Sequence, residues 1–348
     1  MSEDFKENNE ISKTGKLSSF FRELGGMRIV FMGTPEFAVA SLAKLVDAGC
    51  NIVGVITAPD KPAGRGMQLQ QSAVKIYAVQ KQLNILQPEK LRSPEFIEAL
   101  RSLKADVQIV VAFRMLPEIV WNMPPMGTIN VHGSLLPQYR GAAPINWAII
   151  NGEKYTGVTT FKLKHEIDTG DILLQTKIDI GENETAGELH DKMKEVGADL
   201  LLKTMKQLAV GNLEEKPQSA TGKQEAGNVK ADDSPLNIDD SQLKHAPKIF
   251  TETCNIDWNK TTEEVFNLIR GLSPYPTAFT QLENKKLKIY KAERAAEKPS
   301  TTVGNYETDG KNYLRFACRD GYINITELQL EGKKKMDVKD FLRGYRFS

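Results

Sequence analysis

An asparagine and a histidine two residues apart are the residues best placed to do chemistry in this 348-residue sequence. The run TINVHGSLLP (128–137) predicts a strand, and residues i and i+2 of a strand point to the same face. The Asn130 amide and the His132 imidazole are therefore expected to converge on one point. An amide donor there can stabilise an oxyanion, and a titratable ring can move a proton. The alternative is that His132 is a structural histidine near a strand end.

An acidic turn, Asp-Thr-Gly-Asp at 168–171, precedes the next strand-like run. A carboxylate on Asp168 can fold back on His132, favour its charged form and hold a water. The alternative is an ordinary Asp-x-Gly turn. The remaining histidines, His165, His190 and His245, stand in polar surroundings without an evident partner.

Two Gly- and Pro-rich loops flank the predicted site. In SLLPQYRGAAP (134–144), the first four residues are expected to close over a ligand and Arg140 to hold an anion, unless this is a plain loop. In APDKPAGRGMQLQQ (58–71), Lys61 and Arg65 suit phosphate contact, although a mobile solvated loop fits the composition equally well. Gly33 lacks the G-x-G-x-x-G spacing, which argues against a nucleotide cofactor.

The elements that must position these residues alternate between short apolar runs and amphipathic helical segments from residue 27 to about 210. Strands that are apolar at nearly every residue are typical of a parallel sheet covered by helices, which binds ligands at the carboxyl ends of its strands. After a polar stretch at 211–242, one helix and several short alternating strands predict a small β-barrel. An OB-like barrel is one option, and the sequence does not separate it from other small barrels.

Composition sets the class of protein. With 40% hydrophobic and 26% charged residues and no apolar run of the length that a spanning helix needs, the chain is expected to be globular and not membrane-embedded. The net charge of +1 hides an asymmetry, because residues from Gln242 onward carry 19 Lys and Arg against 14 Asp and Glu. Three scattered cysteines predict neither a disulfide framework nor a metal site, and a cytoplasmic protein is expected.

Five segments together carry a family resemblance: MRIVFMGTPEFA, DKPAGRG, INVHGSLLPQYRGAAPIN, DTGDIL and GKKKMDVKDFLRG. From about Met27 to its end the sequence resembles the methionyl-tRNA formyltransferases. The resemblance implies a Rossmann-like parallel-sheet formyltransferase domain (27–210), a linker (211–242) and an OB-like tRNA-binding domain (243–348). The first 26 residues lie outside it and are expected to be a disordered extension.

The resemblance also implies the reaction and the residues that perform it. A formyl group passes from 10-formyltetrahydrofolate to the α-amine of initiator methionyl-tRNA, without a metal, and a monomer is expected. The implied catalytic residues are Asn130, His132 and Asp168. The implied tRNA contacts are Lys61 and Arg65. The implied folate contacts are Ser134, Leu135, Leu136 and Pro137, together with Phe113, Arg114, Met115 and Leu116, where this sequence departs from the family and is closer to the pterin loop of purine-pathway enzymes.

Two other functions share parts of this pattern. A folate-dependent formyltransferase acting on a small amine, either a purine-pathway or a sugar enzyme, keeps the same three residues but does not need a basic second domain. A non-catalytic nucleic-acid-binding relative does not need the intact set of Asn130, His132 and Asp168. The sequence does not specify which tRNA identity elements are read.

Overall fold

The computed structural model of the protein describes residues 25–63, 68–218 and 243–347. Arg65 lies outside the described residues, and so do nearly all of the N-terminal extension (1–26) and most of the linker (211–242). The sequence-based expectations for those segments therefore stay predictions.

Helices and strands alternate in parts of the described residues, and the second half consists mainly of consecutive strands. The helices are α1 (Glu36–Asp47), α2 (Ala73–Gln80), α3 (Pro94–Ser102), α4 (Glu118–Trp121), α5 (Pro144–Ile150), α6 (Ala186–Ala209), α7 (Thr262–Leu272) and α8 (Val338–Gly344). The strands are β1 (Arg28–Gly33), β2 (Asn51–Ile56), β3 (Lys61–Ala63), β4 (Gln68–Gln70), β5 (Ile85–Leu86), β6 (Val107–Val111), β7 (Thr128–His132), β8 (Arg140–Gly141), β9 (Tyr155–Lys162), β10 (Ile172–Asp179), β11 (His245–Ala246), β12 (Ala278–Leu282), β13 (Lys285–Ala295), β14 (Tyr306–Thr308), β15 (Leu314–Ala317), β16 (Tyr322–Leu330) and β17 (Met336–Asp337).

A seven-stranded sheet with the order β10-β9-β7-β6-β1-β2-β5 carries the predicted site. The five strands from β7 to β5 are parallel, which confirms the predicted α/β fold with a Rossmann-like parallel sheet. Strand β9 extends the sheet beyond β7 and runs antiparallel to it. An antiparallel strand added to an otherwise parallel sheet is common. Its register places Thr159 opposite His132.

The central strands of this sheet are buried on both faces. Every residue of β6, and every residue of β1 after Arg28, is buried, as the continuous apolar runs predict. Side chains of β1, β2 and β6 pack with those of α3, a helix that the sequence interpretation missed, in one cluster. Its buried members are Val30, Met32, Ile56, Leu91, Phe96, Ile97, Leu100, Val110, Leu116 and Val120. At about 1.5–3 kcal/mol for each large side chain that is fully buried, such clusters stabilise the sheet.

A second sheet follows α7 and is antiparallel throughout. Its order is β12-β13-β16-β15-β14, with β17 paired to β16. The ladder between β13 and β16 is irregular between Ile289 and Ala292, and such irregularities bend a strand. The predicted small barrel-like domain is thus present as a curled half-barrel. Helix α7 begins with a capping box, in which Thr261 and Glu264 satisfy each other's backbone N–H groups.

Two compact units can be distinguished in the chain. The first runs to Pro137 and includes Gly157–Thr176 and the segment from Met193 to Leu243. The second comprises Gln138–Thr156, Lys177–Lys192 and the segment from Lys244 onward. No helix among the described residues has both the length and the apolar character that a bilayer span requires.

Candidate active site

The carboxyl end of β7 carries Asn130 and His132. His132 is the last residue of the strand, and only 6% of it is exposed, whereas Asn130 is partly exposed. The Phe161 ring of β9 meets the imidazole edge to face, with 6.4 Å between ring centroids and an interplanar angle of 84°. Packing against an aromatic ring fixes the plane of the imidazole, which is a condition for directed proton transfer.

Asp168 lies beside His132, as the acidic turn predicts. The distance from His132 Nδ1 to Asp168 Oδ2 is 3.8 Å, and both side chains are nearly buried, at 7% and 11% exposure. Electrostatic interactions between groups this buried are screened less by solvent than those on the surface. The geometric expectation is therefore confirmed, while the catalytic roles of the two residues stay a prediction.

The turn that presents Asp168 is held from two sides. Asp168 has a φ of 54°, a conformation that side-chain-bearing residues adopt at a cost. Gln218 Nε2 donates to the carbonyl oxygens of Asp168 and Gly170, at 3.0 and 2.7 Å. Gly170 packs so closely against β9 that a Cβ added to it would lie 1.5 Å from the Lys162 carbonyl oxygen. The turn therefore requires glycine at this position.

The segment 134–137 is anchored by two side chains that the sequence interpretation missed. The Thr159 hydroxyl donates to Ser134 O at 2.7 Å and accepts from Leu136 N at 3.2 Å. Gln175 Nε2 donates to Leu136 O at 2.9 Å. Thr159 is fully buried, and Thr156 and Thr160 of the same strand are buried as well. The local sequence therefore gives no signal that distinguishes Thr159 as the residue that contacts Ser134 and Leu136.

The predicted folate residues divide into buried and exposed members. Among 134–137, Ser134, Leu136 and Pro137 are buried, while Leu135 is partly exposed. The Leu136 side chain packs with Phe161 and Ile172. Ser134 and Leu136 are fully buried, backbone included, so Leu135 is the residue of this segment most open to a ligand.

The segment 113–116 borders a cavity of about 250 Å³. Leu116 is buried in the core, Phe113 is partly buried, and Met115 is 75% exposed. Arg114 Nη1 donates to Glu89 O at 2.9 Å, and its Nη2 donates to Pro88 O. Partial burial lowers the pKa of this guanidinium from its ordinary value. The cavity is lined by Leu91, Arg92, Arg114, Met115, Leu116 and Pro117.

Four other residues that the sequence analysis singled out lie outside the segments described above. They are Lys61, Arg140, His165 and His190. Lys61 is exposed at the start of β3, in a short hairpin with β4 where the sequence predicts only a loop. Arg140 lies in β8, which pairs in parallel with β11 in the second unit. His165 and His190 each face a carboxylate, contrary to expectation, but their side chains are 87% and 40% exposed.

Metal-binding geometry is absent from the part of the chain that the structure describes. No group of three or more His, Cys, Asp or Glu side chains is arranged there to bind an ion.

Two family models match the sequence and give the class of protein. "Formyl transferase" matches residues 27–205, and "Formyl transferase, C-terminal domain" matches residues 248–346. The class of protein is therefore a formyl transferase with both an N-terminal and a C-terminal domain of that family.

Comparison with individual relatives identifies the family within this class. The chain is 54% identical to a methionyl-tRNA formyltransferase of Phocaeicola vulgatus over 328 residues, covering 92% of this chain and 97% of the relative. It is 50% identical to that of Bacteroides fragilis over 327 residues, covering 92% and 96%. The chain belongs to the methionyl-tRNA formyltransferase family.

Solved structures of low identity share the fold. An N-formyltransferase from Helicobacter canadensis, in complex with folinic acid and dTDP-3-aminofucose, has a TM-score of 0.60 at 20% identity, covering 89% of this chain and all of that one. HypX from Aquifex aeolicus has a TM-score of 0.60 at 18% identity and covers 92% of this chain. The chain spans about half the length of HypX.

Proposed function

We propose that this protein transfers a formyl group from 10-formyltetrahydrofolate to the α-amine of initiator methionyl-tRNA, for translation initiation. The observation that carries the proposal is the nearly buried pair of His132 and Asp168, whose side chains are 3.8 Å apart. His132 lies on β7, the strand that also presents Asn130, and Asp168 lies in the turn between β9 and β10. Relatives named methionyl-tRNA formyltransferase are 50–54% identical over 92% of the chain, and they support methionyl-tRNA as the substrate.

The proposed chemistry needs only side chains that this site supplies. The formyl carbon forms a bond to the methionyl amine and loses its bond to folate N10, and the proton leaving the amine ends on N10. The Asn130 amide donates a hydrogen bond to the formyl oxygen as negative charge develops there. His132 donates a hydrogen bond to the same developing charge, and Asp168 orders the water through which the proton travels.

A folate is proposed to bind along the two segments beside these residues. The cavity next to 113–116 combines apolar side chains with the Arg92 and Arg114 guanidinium groups, which suits a flat, polar ring system such as a pterin. The segment 134–137, held by Thr159 and Gln175, is proposed to contact the folate near its reactive end. The proposed folate site thus combines apolar surface with hydrogen-bond donors, as a pterin requires.

The tRNA is proposed to contact Lys61, Arg65 and the basic residues after Gln242. Phosphate contacts from Lys and Arg carry most of the affinity for a nucleic acid and no base specificity. Strand β13 and the turn before β17 hold a concentration of cations in the half-barrel. They are Lys285, Lys286, Lys288, Lys291, Arg294, Lys333, Lys334 and Lys335. The protein is proposed to act as a monomer in the cytoplasm.

The direct test is a formylation assay. The purified protein is incubated with 10-formyltetrahydrofolate and either initiator methionyl-tRNA or a small amine, such as a nucleotide-linked amino sugar. Formylmethionine released from the tRNA after deacylation is the expected product, and His132→Ala is the control. Formylation of the small amine but not of the tRNA contradicts the proposal.

A further inference from the structure

The segment 58–71 departs from the sheet between β2 and α2, and a hydroxyl pair joins its two ends. Thr57, the residue after β2, is fully buried, and its Oγ1 lies 2.7 Å from Ser72 Oγ. Ser72 is also the N-cap of α2, where its Oγ accepts the backbone N–H of Lys75 at 3.0 Å. The residues entering and leaving the segment are therefore tied together at the carboxyl end of β2.

A second set of contacts, between Asp60, Lys75 and Gln87, also holds the segment 58–71. Lys75 Nζ forms a hydrogen-bonded ion pair with Asp60 Oδ2, and the two side chains are only 16% and 20% exposed. Gln87 Nε2 donates to Asp60 Oδ1 and to Ala58 O, both at 2.8 Å. The hydrogen bond from Lys75, followed by that from Gln87, lowers the pKa of Asp60. Both carboxylate oxygens are thus engaged by groups outside the segment.

The partners of Asp60 belong to the rigid part of the fold. Lys75 lies in α2, and Gln87 directly follows β5, whose Leu86 is in register with Ile56 of β2. Asp60 itself immediately precedes β3, which pairs with β4 to form the hairpin. The direction in which the hairpin departs from the sheet is therefore set at Asp60.

The hairpin and the candidate active site share one edge of the sheet. Strands β2, β1, β6 and β7 are consecutive and parallel, so their carboxyl ends lie on the same side. That side is where β7 ends in His132 and where β2 gives rise to the hairpin. A macromolecular substrate reaching His132 meets the hairpin on the same edge.

We propose that Asp60, Lys75 and Gln87 form an anchor that orients the β3–β4 hairpin, and that Asp60 is a positioning residue for methionyl-tRNA. The proposal rests on the function proposed above. Asp60 acts through the hairpin and makes no substrate contact, because Lys75 and Gln87 engage its oxygens. Use of the tRNA depends on the anchor, whereas use of the folate does not.

The direction in which Asp60→Asn changes tRNA affinity distinguishes a positioning role of Asp60 from a purely electrostatic one. Asp60→Asn removes a negative charge near a surface proposed to face tRNA phosphates. If charge alone mattered, this variant would bind tRNA more tightly. If Asp60 orients the hairpin, the variant binds tRNA less well, because the bond to Lys75 loses its ionic character.

A matched control for the charge change lies in the same unit. Asp199 pairs with Lys44 at 2.5 Å on the surface, where the two side chains are 65% and 45% exposed. Asp199→Asn makes the same change in net charge and breaks an exposed ion pair, a kind that contributes little. Asp199 lies on α6 and Lys44 on α1, and neither helix is part of the hairpin.

The experiment measures KM for methionyl-tRNA and for 10-formyltetrahydrofolate in wild type, Asp60→Asn and Asp199→Asn. For Asp60→Asn, KM for the tRNA is expected to rise about tenfold, the factor expected for loss of one charge-assisted hydrogen bond. Its KM for folate and its thermal unfolding should stay close to wild type. Asp199→Asn should leave both KM values unchanged.

A second measurement does not depend on the proposed substrate. Trypsin cleaves after Arg65, and cleavage there is expected to be several-fold faster in Asp60→Asn than in Asp199→Asn, because the hairpin is held less firmly. Equal cleavage rates, or a tRNA KM that is unchanged or lower in Asp60→Asn, overturn the anchor. A wild-type protein that fails to formylate methionyl-tRNA overturns the proposed function instead, and the cleavage rates then still decide the anchor.

Discussion

Replacing Gly170 with alanine tests how tightly the turn around Asp168 must be held. The added Cβ would lie 1.5 Å from the Lys162 carbonyl oxygen and 3.2 Å from Phe161 Cδ2. Contacts below 3.0 Å are essentially never found for a Cβ, so the turn and β9 must separate by about 1.5 Å. The obstacle is backbone rather than a flexible side chain. The turn is therefore expected to shift, and Asp168 with it.

The size of the kinetic effect follows from this displacement. Misplacing a catalytic group by 1 Å costs roughly 10²-fold in rate, so kcat for formylation should fall by about that factor or more. Overpacking of this kind also destabilises a protein by about 1–3 kcal/mol. The assay is formylation at saturating methionyl-tRNA and folate, with circular dichroism to establish the unfolding free energy.

Gly197→Ala is the matched control in the same unit. Its Cβ would lie 3.5 Å from Val131 Cγ1 and Val158 Cγ1, which is ordinary contact, and alanine in a helix is favoured over glycine by roughly 0.5–1 kcal/mol. Activity should be retained. A milder second variant, Gln218→Ala, removes two hydrogen bonds from the turn without adding volume and should lower kcat about tenfold. A folded Gly170→Ala protein with kcat within twofold of wild type would refute the reasoning.

The remaining predictions concern the reacting groups, the tRNA contacts and a buried thiol. His132→Ala and Asn130→Ala should each lower kcat by roughly 10² or more while folate affinity, measured by calorimetry, hardly changes. Near-normal turnover in either variant contradicts the assigned roles. Lys61→Ala and Arg65→Ala should each reduce the slope of log tRNA affinity against log salt by about 0.7 to 0.9, and an unchanged slope in a salt titration means that they contact no phosphate. Burial raises the pKa of Cys318 from 9.0 to about 12, so its protonated thiol favours the folded state fully below pH 9 and progressively less as pH rises toward 12. The stability difference between wild type and Cys318→Ala, from denaturant unfolding, should accordingly narrow above pH 9, and a constant difference contradicts this.

Some features of the fold can be predicted from short segments of the sequence. β1 and β6 are predictable because a strand buried on both faces is apolar at nearly every position. The shared face of Asn130 and His132 follows from the two-residue period of a strand. Asp168 is expected near His132 because a carboxylate commonly pairs with an imidazole, not because of its position along the chain.

Other features depend on contacts between distant residues, which one sequence does not reveal. Thr159 reaches Ser134 across 25 residues, and Gln218 reaches Asp168 across 50. The reversal of β9 depends on how the chain returns after α5, not on the composition of β9. The β3–β4 hairpin escapes prediction because strands of three residues are too short to show a period, and pairing alone defines them.

The interleaving of the two compact units bears on how the protein is made. The chain passes from one unit to the other after Pro137, Thr156, Thr176, Lys192 and Leu243. During synthesis, Asn146 therefore emerges from the ribosome long before Gly271, whose carbonyl accepts its side-chain hydrogen bond. Nascent chains that end before α7 leave uncovered the face of α5 that packs against α7. We expect that face to bind chaperones until α7 has been made.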